Sequence, residues 1–261
     1  MRNTLLLLLT VLGMASCQIR EEIIFSEDGS GTYKMGFDMS EFMKMGNEQD
    51  TLPPEPAIDT LINFASFLDE KKDSIATLSK EEQGRLEALR PLQFSMKMNE
   101  EEKQMDMQLS YVFTTLDDIS KFADAIKKAD IKELDQMMNP MGDAAAPVAS
   151  DTVQKKDDMS AIFSMAESFT TKFSNAGFSR KVTEAAIAEM SLKKDTTLTA
   201  DDPFSDMIRF KQVYRFPYRV KSVDNDNAKI LSDFKGIEIE ANMYEMNNDP
   251  KYFNIEVSFE E

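Results

Sequence analysis

Residues 19–39, IREEIIFSEDGSGTYKMGFDM, decide the fold. Ile19, Ile23 and Phe25 fall at even spacing, so residues 19–26 read as a strand. Asp28-Gly29-Ser30-Gly31 reads as the turn, because glycine tolerates the positive φ of tight hairpins. Residues 32–39 then alternate strictly. Tyr33, Met35, Phe37 and Met39 share one face, and Thr32, Lys34, Gly36 and Asp38 share the other. A period of two with one apolar side is the mark of a β-hairpin lying on a core.

The pattern repeats outward from this hairpin. Ser40 is placed to cap a short helix carrying Phe42 and Met43, and residues 46–56 (GNEQDTLPPEP) read as a loop. Ile58, Leu61, Ile62, Ala65 and Leu68 then follow helical spacing, which predicts a helix from Ala57, with Ile75 and Leu78 extending its face. Ser79 and Glu82 form a capping-box pattern for a second helix bearing Leu86 and Leu89, ended by Pro91. Period two returns at Leu92, Phe94, Met96 and Met98. After the charged turn 99–103 it continues at Met105, Met107, Leu109, Tyr111 and Phe113, a second long hairpin. Thr115 and Asp118 open a further helix.

Beyond it, residues 140–156 (PMGDAAAPVASDTVQKK) read as a flexible excursion, and residues 191–206 as a polar loop. Phe169, Thr171 and Phe173 predict a strand. A long strand is predicted over 208–220, with Pro217 at an edge, bulge or strand end. Residues 237–241 and 253–259 complete the set, the last tying the end of the chain into a sheet. Hairpin-linked strands with helices in blocks predict an α+β fold: an antiparallel sheet with helices packed on one side.

Composition narrows the chemistry. The formal charge is −17 at pH 7, a surface that repels nucleic acid phosphates and anionic lipid heads, so no nucleic acid partner is expected. Histidine is absent, which removes histidine-based triads, histidine general bases and the common zinc ligand sets. The lone cysteine rules out an internal disulfide framework, so the core must supply stability.

That cysteine closes a leader. Arg2 gives a positive start, residues 4–12 (TLLLLLTVL) an apolar run too short to span a bilayer, and Met14-Ala15-Ser16 lead into Cys17. The arrangement resembles a bacterial lipoprotein signal. The resemblance implies that residues 1–16 are removed and that Cys17 is acylated, tethering a single α+β domain at 17–261. An ordinary cleaved signal with a chance cysteine is the competing reading. Two further segments, residues 23–42 (IIFSEDGSGTYKMGFDMSEF) and 214–246 (YRFPYRVKSVDNDNAKILSDFKGIEIEANMYEM) with the closing 248–261, resemble uncharacterised lipoproteins of Gram-negative envelopes. The "FP…V" step is distantly similar to the LppM-like lipoprotein domain, a β-rich module implicated in binding envelope lipids. The resemblance implies an outer-membrane location, facing the periplasm or the cell surface, and supplies no catalytic residue.

Other constellations have plain explanations. Met96, Met98, Met105 and Met107 share one face of a hairpin and could offer soft ligands to Cu(I), but their stripe runs into Leu109, Tyr111 and Phe113 and reads as core. Met35, Met39, Met43 and Met45 read the same way. Asp224-Asn225-Asp226-Asn227 begins like a calcium loop but lacks its later glycine and acid, and reads as a turn. Glu21-Glu22, Asp117-Asp118 and Asp201-Asp202 could in principle form an acid/base pair, but adjacent acids are expected in a chain with 47 acidic residues and read as solvated. No metal or cofactor is expected. The function expected is a non-enzymatic binding or structural module, membrane-bound through Cys17, whose partner is an envelope protein or an apolar ligand held between helices and sheet. A lipid carrier would need an apolar cavity. A hydrolase would need converging carboxylates or a buried serine partnered by lysine.

Overall fold

The first hairpin forms as its alternation requires. In the computed structural model, which describes residues 17–45, 56–121, 124, 165–206 and 208–260, strands β1 (Cys17–Phe25) and β2 (Gly31–Asp38) pair antiparallel, with Ile23 opposite Tyr33. Asp28 shapes the turn by accepting from the Ser30 amide at 3.0 Å and the Ser30 hydroxyl at 2.6 Å. The two glycines serve differently. Gly29 takes the positive φ, +82°, whereas Gly31 is required for closeness: a Cβ there would lie 2.0 Å from the Ile24 carbonyl oxygen and 2.6 Å from the Phe113 ring.

Helix α1 (Ser40–Met45) follows as predicted. The helix expected from Ala57 does not. Residues Ile58–Asn63 form strand β3, and helix α2 (Phe64–Glu70) starts only after Asn63, whose side chain accepts from the Ser66 amide. The apolar spacing mimicked a helix, but Ile58, Thr60 and Ile62 are placed by pairing opposite Met98, Met96 and Phe94 at the sheet edge, and Leu61 is left 72% exposed. Helices α3 (Lys72–Ile75) and α4 (Lys80–Ala88) come next, the latter with the capping box of Ser79 and Glu82 in place. Strands β4 (Leu92–Asn99) and β5 (Gln104–Phe113) make the second hairpin.

The second half holds β6 (Phe169–Phe173), β7 (Gly177–Val182), helix α5 (Glu184–Leu192), β8 (Ile208–Arg215), β9 (Val220–Val223), β10 (Lys229–Ile230), β11 (Gly236–Asn242), helix α6 (Met243–Asn248) and β12 (Ile255–Phe259). The long strand expected over 208–220 is two strands. It breaks at Phe216–Arg219, around Pro217, and the chain crosses from one sheet to another. The leader at 1–16, most of the loop at 46–56 and the excursion at 140–156 lie outside the described residues.

The fold is α+β. An eight-stranded sheet runs β10-β11-β8-β1-β2-β5-β4-β3, antiparallel except where β1 lies parallel to β8. A four-stranded sheet, β6-β7-β12-β9, packs on its inner face, with the C-terminal strand at its centre. One continuous core joins the two, and Met43, Leu89 and Met246 contribute to it from or beside α1, α4 and α6. The end of the layers near Phe25 is closed by aromatics: Phe25 stacks on Phe173 at 4.3 Å, and Phe178, Phe216 and Phe259 close around them.

Candidate functional site

Side chains of a strand alternate between faces, so each inner position of β1 should be apolar. Glu21 is not: expected to be solvated, it is buried between Ile19 and Ile23 on the inner face, where Arg180 and Tyr33 take the place of water at its carboxylate. Gln212 interrupts β8 between Phe210 and Tyr214 in the same way, opposite Glu21 in the parallel register. Arg180 interrupts β7 between Phe178 and Val182. The three meet between the sheets. Arg180, 1% exposed, donates from Nη2 to Glu21 Oε1 at 2.7 Å, and Tyr33 donates to the same oxygen at 2.6 Å. Tyr214 donates to Gln212 Oε1 at 2.6 Å. The guanidinium carbon lies 4.4 Å from the centre of the Phe169 ring, a cation–π contact. Burial and the Glu21 carboxylate hold the Tyr33 hydroxyl well above its ordinary pKa, and burial raises that of Tyr214. Four buried atoms find no hydrogen-bond partner: Glu21 Oε2, Arg180 Nε, Arg180 Nη1 and Gln212 Nε2.

The opposite end of the layers from Phe25 is open. A groove of about 370 Å³ lies there. Phe169 and Val182 line it from the smaller sheet, Ala186 and Met190 from α5, Phe210 from β8, and Met246 from α6. Its volume is at the small end of the range for ligand pockets. Thr183 caps α5 by accepting from the Ala186 amide, yet no residue of that largely apolar helix is buried, and Leu192 at its end is 89% exposed. The rim is pinned by Asn247, which exchanges hydrogen bonds with the Asp195 backbone at 2.8 and 2.7 Å, and by the Glu189–Lys193 ion pair.

Cys17 stands at this end. It is the first residue of β1, on the inner face and opposite Ile208, two residues before Ile19 pairs with the groove residue Phe210. Burial, and then the Asp38 carboxylate, push its thiol up to about 11.

The remaining sequence candidates fall elsewhere. Glu22 points to the outer face, where Arg215, Arg20 and Lys34 lie at 3.0, 3.4 and 3.6 Å from its carboxylate. Asp118 caps its own turn, accepting from the Thr114 and Thr115 amides. Asn225 turns its side-chain amide to the carbonyls of Tyr252 and Asn254, a structural turn. Met98 faces Met105 and Met96 faces Met107 on the inner face, with Met105 and Met107 buried in the core beside Leu109. Met35 is buried in the same core, and Met39 and Met43 pack against it. Ser205 is buried, its hydroxyl donating to the Thr199 carbonyl. Among the described residues no group of three or more acidic, cysteine or histidine side chains could hold a metal ion, and no helix is long and apolar enough to cross a membrane. Arg180 escaped the sequence reading. Its signal was a charge at an apolar-phase position, as at Glu21.

No known family matches the chain, and no curated protein does. Among solved structures the chain is similar to the folded domain of the Mycobacterium tuberculosis LppM protein, determined by NMR. The identity is 10%, the match covers 94% of this chain and 91% of that one, and the TM-score is 0.36. A likeness that loose carries no argument, and the functional reading rests on this chain's own residues.

Proposed function

We propose that this protein is a non-enzymatic binding module of the bacterial cell envelope, tethered to the outer membrane through acylated Cys17, and that it holds an apolar group in the groove beside the tether. The observation that carries the reading is the shared position of the two features. β1 is paired with β8 from Cys17 and with β2 from Gln18, so no linker separates the acylated residue from the folded body. The acyl chains therefore enter the bilayer at the open end of the layers, and two or more such chains anchor stably. The groove and the unburied α5 that lines it, which ends at the exposed Leu192, lie at this same end. With a net charge of −17, the body gains nothing from anionic head groups, so its membrane contact is through acyl chains and apolar side chains.

The lack of tryptophan provides the test. Leu192→Trp places a single indole beside the groove. Phe234→Trp places one beyond the strand ends near Phe25, in the turn before β11. The acylated protein is reconstituted in phosphatidylcholine vesicles with brominated acyl chains. The expected result is quenching at position 192 and none at 234. Equal quenching at both, or none at 192, refutes the orientation.

A further inference from the structure

Buried polar atoms are almost always paired, so four unpaired ones in one cluster require a partner that completes them. Their chemistry specifies it. Arg180 Nε, Arg180 Nη1 and Gln212 Nε2 are donors, and Glu21 Oε2 is an acceptor. The ion pair of Arg180 and Glu21 is already neutral, so an anion would add an uncompensated buried charge beside the Glu21 carboxylate. An uncharged group with hydroxyl and carbonyl oxygens fits: its hydroxyl donates to Glu21, and its oxygens accept from Arg180 and Gln212.

The cluster adjoins the groove. Phe169 covers the guanidinium and also lines the groove, and it begins β6, an edge strand. This half-buried ring therefore stands between the cluster and the groove. We propose that Glu21, Arg180 and Gln212 form the head-group seat of the groove, taking the neutral, hydroxyl-bearing head of a single-chain amphiphile whose tail lies along Phe210, Met190 and Met246. The seat rests on the groove reading above.

The test uses the acylated protein in phosphatidylcholine vesicles and three photoreactive probes with one diazirine-bearing tail: a monoacylglycerol, the matching fatty carboxylate at pH 8, and the headless alkane. Labelled peptides are mapped by mass spectrometry. The monoacylglycerol is expected to label α5 and α6 about tenfold above the alkane, the factor that a few modest hydrogen bonds supply. The carboxylate is expected to match the alkane. The triple variant Glu21→Met/Tyr33→Phe/Arg180→Met removes the seat without stranding a charge; it should lose the tenfold preference and keep the alkane labelling. If that variant does not fold, Gln212→Leu should still reduce the preference about threefold, one hydrogen bond's worth. Equal labelling of wild type by monoacylglycerol and alkane overturns the seat and assigns the cluster to internal water, leaving the groove reading intact. A preference for the carboxylate overturns the neutral head. Labelling of the groove by none of the probes removes the groove reading and the seat with it.

Discussion

Arg180→Met should be among the most damaging single substitutions in this chain. The guanidinium is 1% exposed and its partner Glu21 2% exposed, so water cannot solvate the carboxylate that the change strands. Glu21 Oε1 would keep only the Tyr33 hydroxyl, and Oε2 has no partner already. Breaking a buried pair from one side costs about 3–5 kcal/mol, a large share of the roughly 5–15 kcal/mol that holds a domain together. Replacing the whole group should behave oppositely. Glu21→Met/Tyr33→Phe/Arg180→Met removes both charges and three of the four unpaired atoms, each of which costs about 1–3 kcal/mol buried. The triple variant should therefore equal the wild type or exceed it by about 1–4 kcal/mol. Guanidinium unfolding followed by far-UV circular dichroism measures both, provided the slope is unchanged. A triple variant as unstable as Arg180→Met would sink the reasoning, since it would mean that the ion pair itself holds the sheets together.

Three other outcomes follow from particular residues. Gly29→Val should cost about 1 kcal/mol or more through its positive φ, and Gly31→Ala should cost more, roughly 2–3 kcal/mol, through collision with the Ile24 carbonyl and Phe113; thermal melts that rank them the other way refute this account of the turn. The Asp118 carboxyl is held below its ordinary range by Lys121, Thr114 and Thr115, so the order it confers is complete above the unfolded value near pH 4 and is lost as pH falls through the lower folded value; hydrogen exchange at the Thr114 and Thr115 amides should show that acid loss, and Asp118→Asn should flatten it. Radiolabelled palmitate should enter the wild type and not Cys17→Ser, and protein made without acylation should alkylate at pH 8 about a hundredfold more slowly folded than denatured, because its thiol lies near 11; a fully reactive thiol on membrane-derived protein would refute the tether.

Much of the architecture was legible because it is local. Alternation at Tyr33, Met35 and Phe37 and again at Met105–Phe113 names both the strand and its buried face. The Ser79–Glu82 capping box and the Asp28 turn need only residues two or three apart. The α+β class follows from these hairpins. The segment at Ile58 misled because its apolar spacing satisfies a helix and a strand equally, and the edge of β4 decided between them.

The candidate site was legible only in part. Cys17 is set by its neighbours in the chain, and its place beside an apolar groove is not. That groove exists because β1 pairs parallel with β8, some 190 residues later, and because α5 and α6 line the open end without covering it. Glu21 and Arg180 could be read singly as polar residues on apolar faces, but their separation of 159 residues hides the pairing. The crossing at Pro217 has the same character: the sequence allowed an edge, a bulge or a strand end there within one long strand, and only packing breaks the strand and sends the chain into the other sheet. By itself the sequence determined the turns and most of the strand phases, since each depends on backbone sterics and the solvation of near neighbours. Tertiary structure decided which strands meet, which charges are buried together and where an apolar surface stays open, since those depend on contacts between residues that the chain keeps far apart.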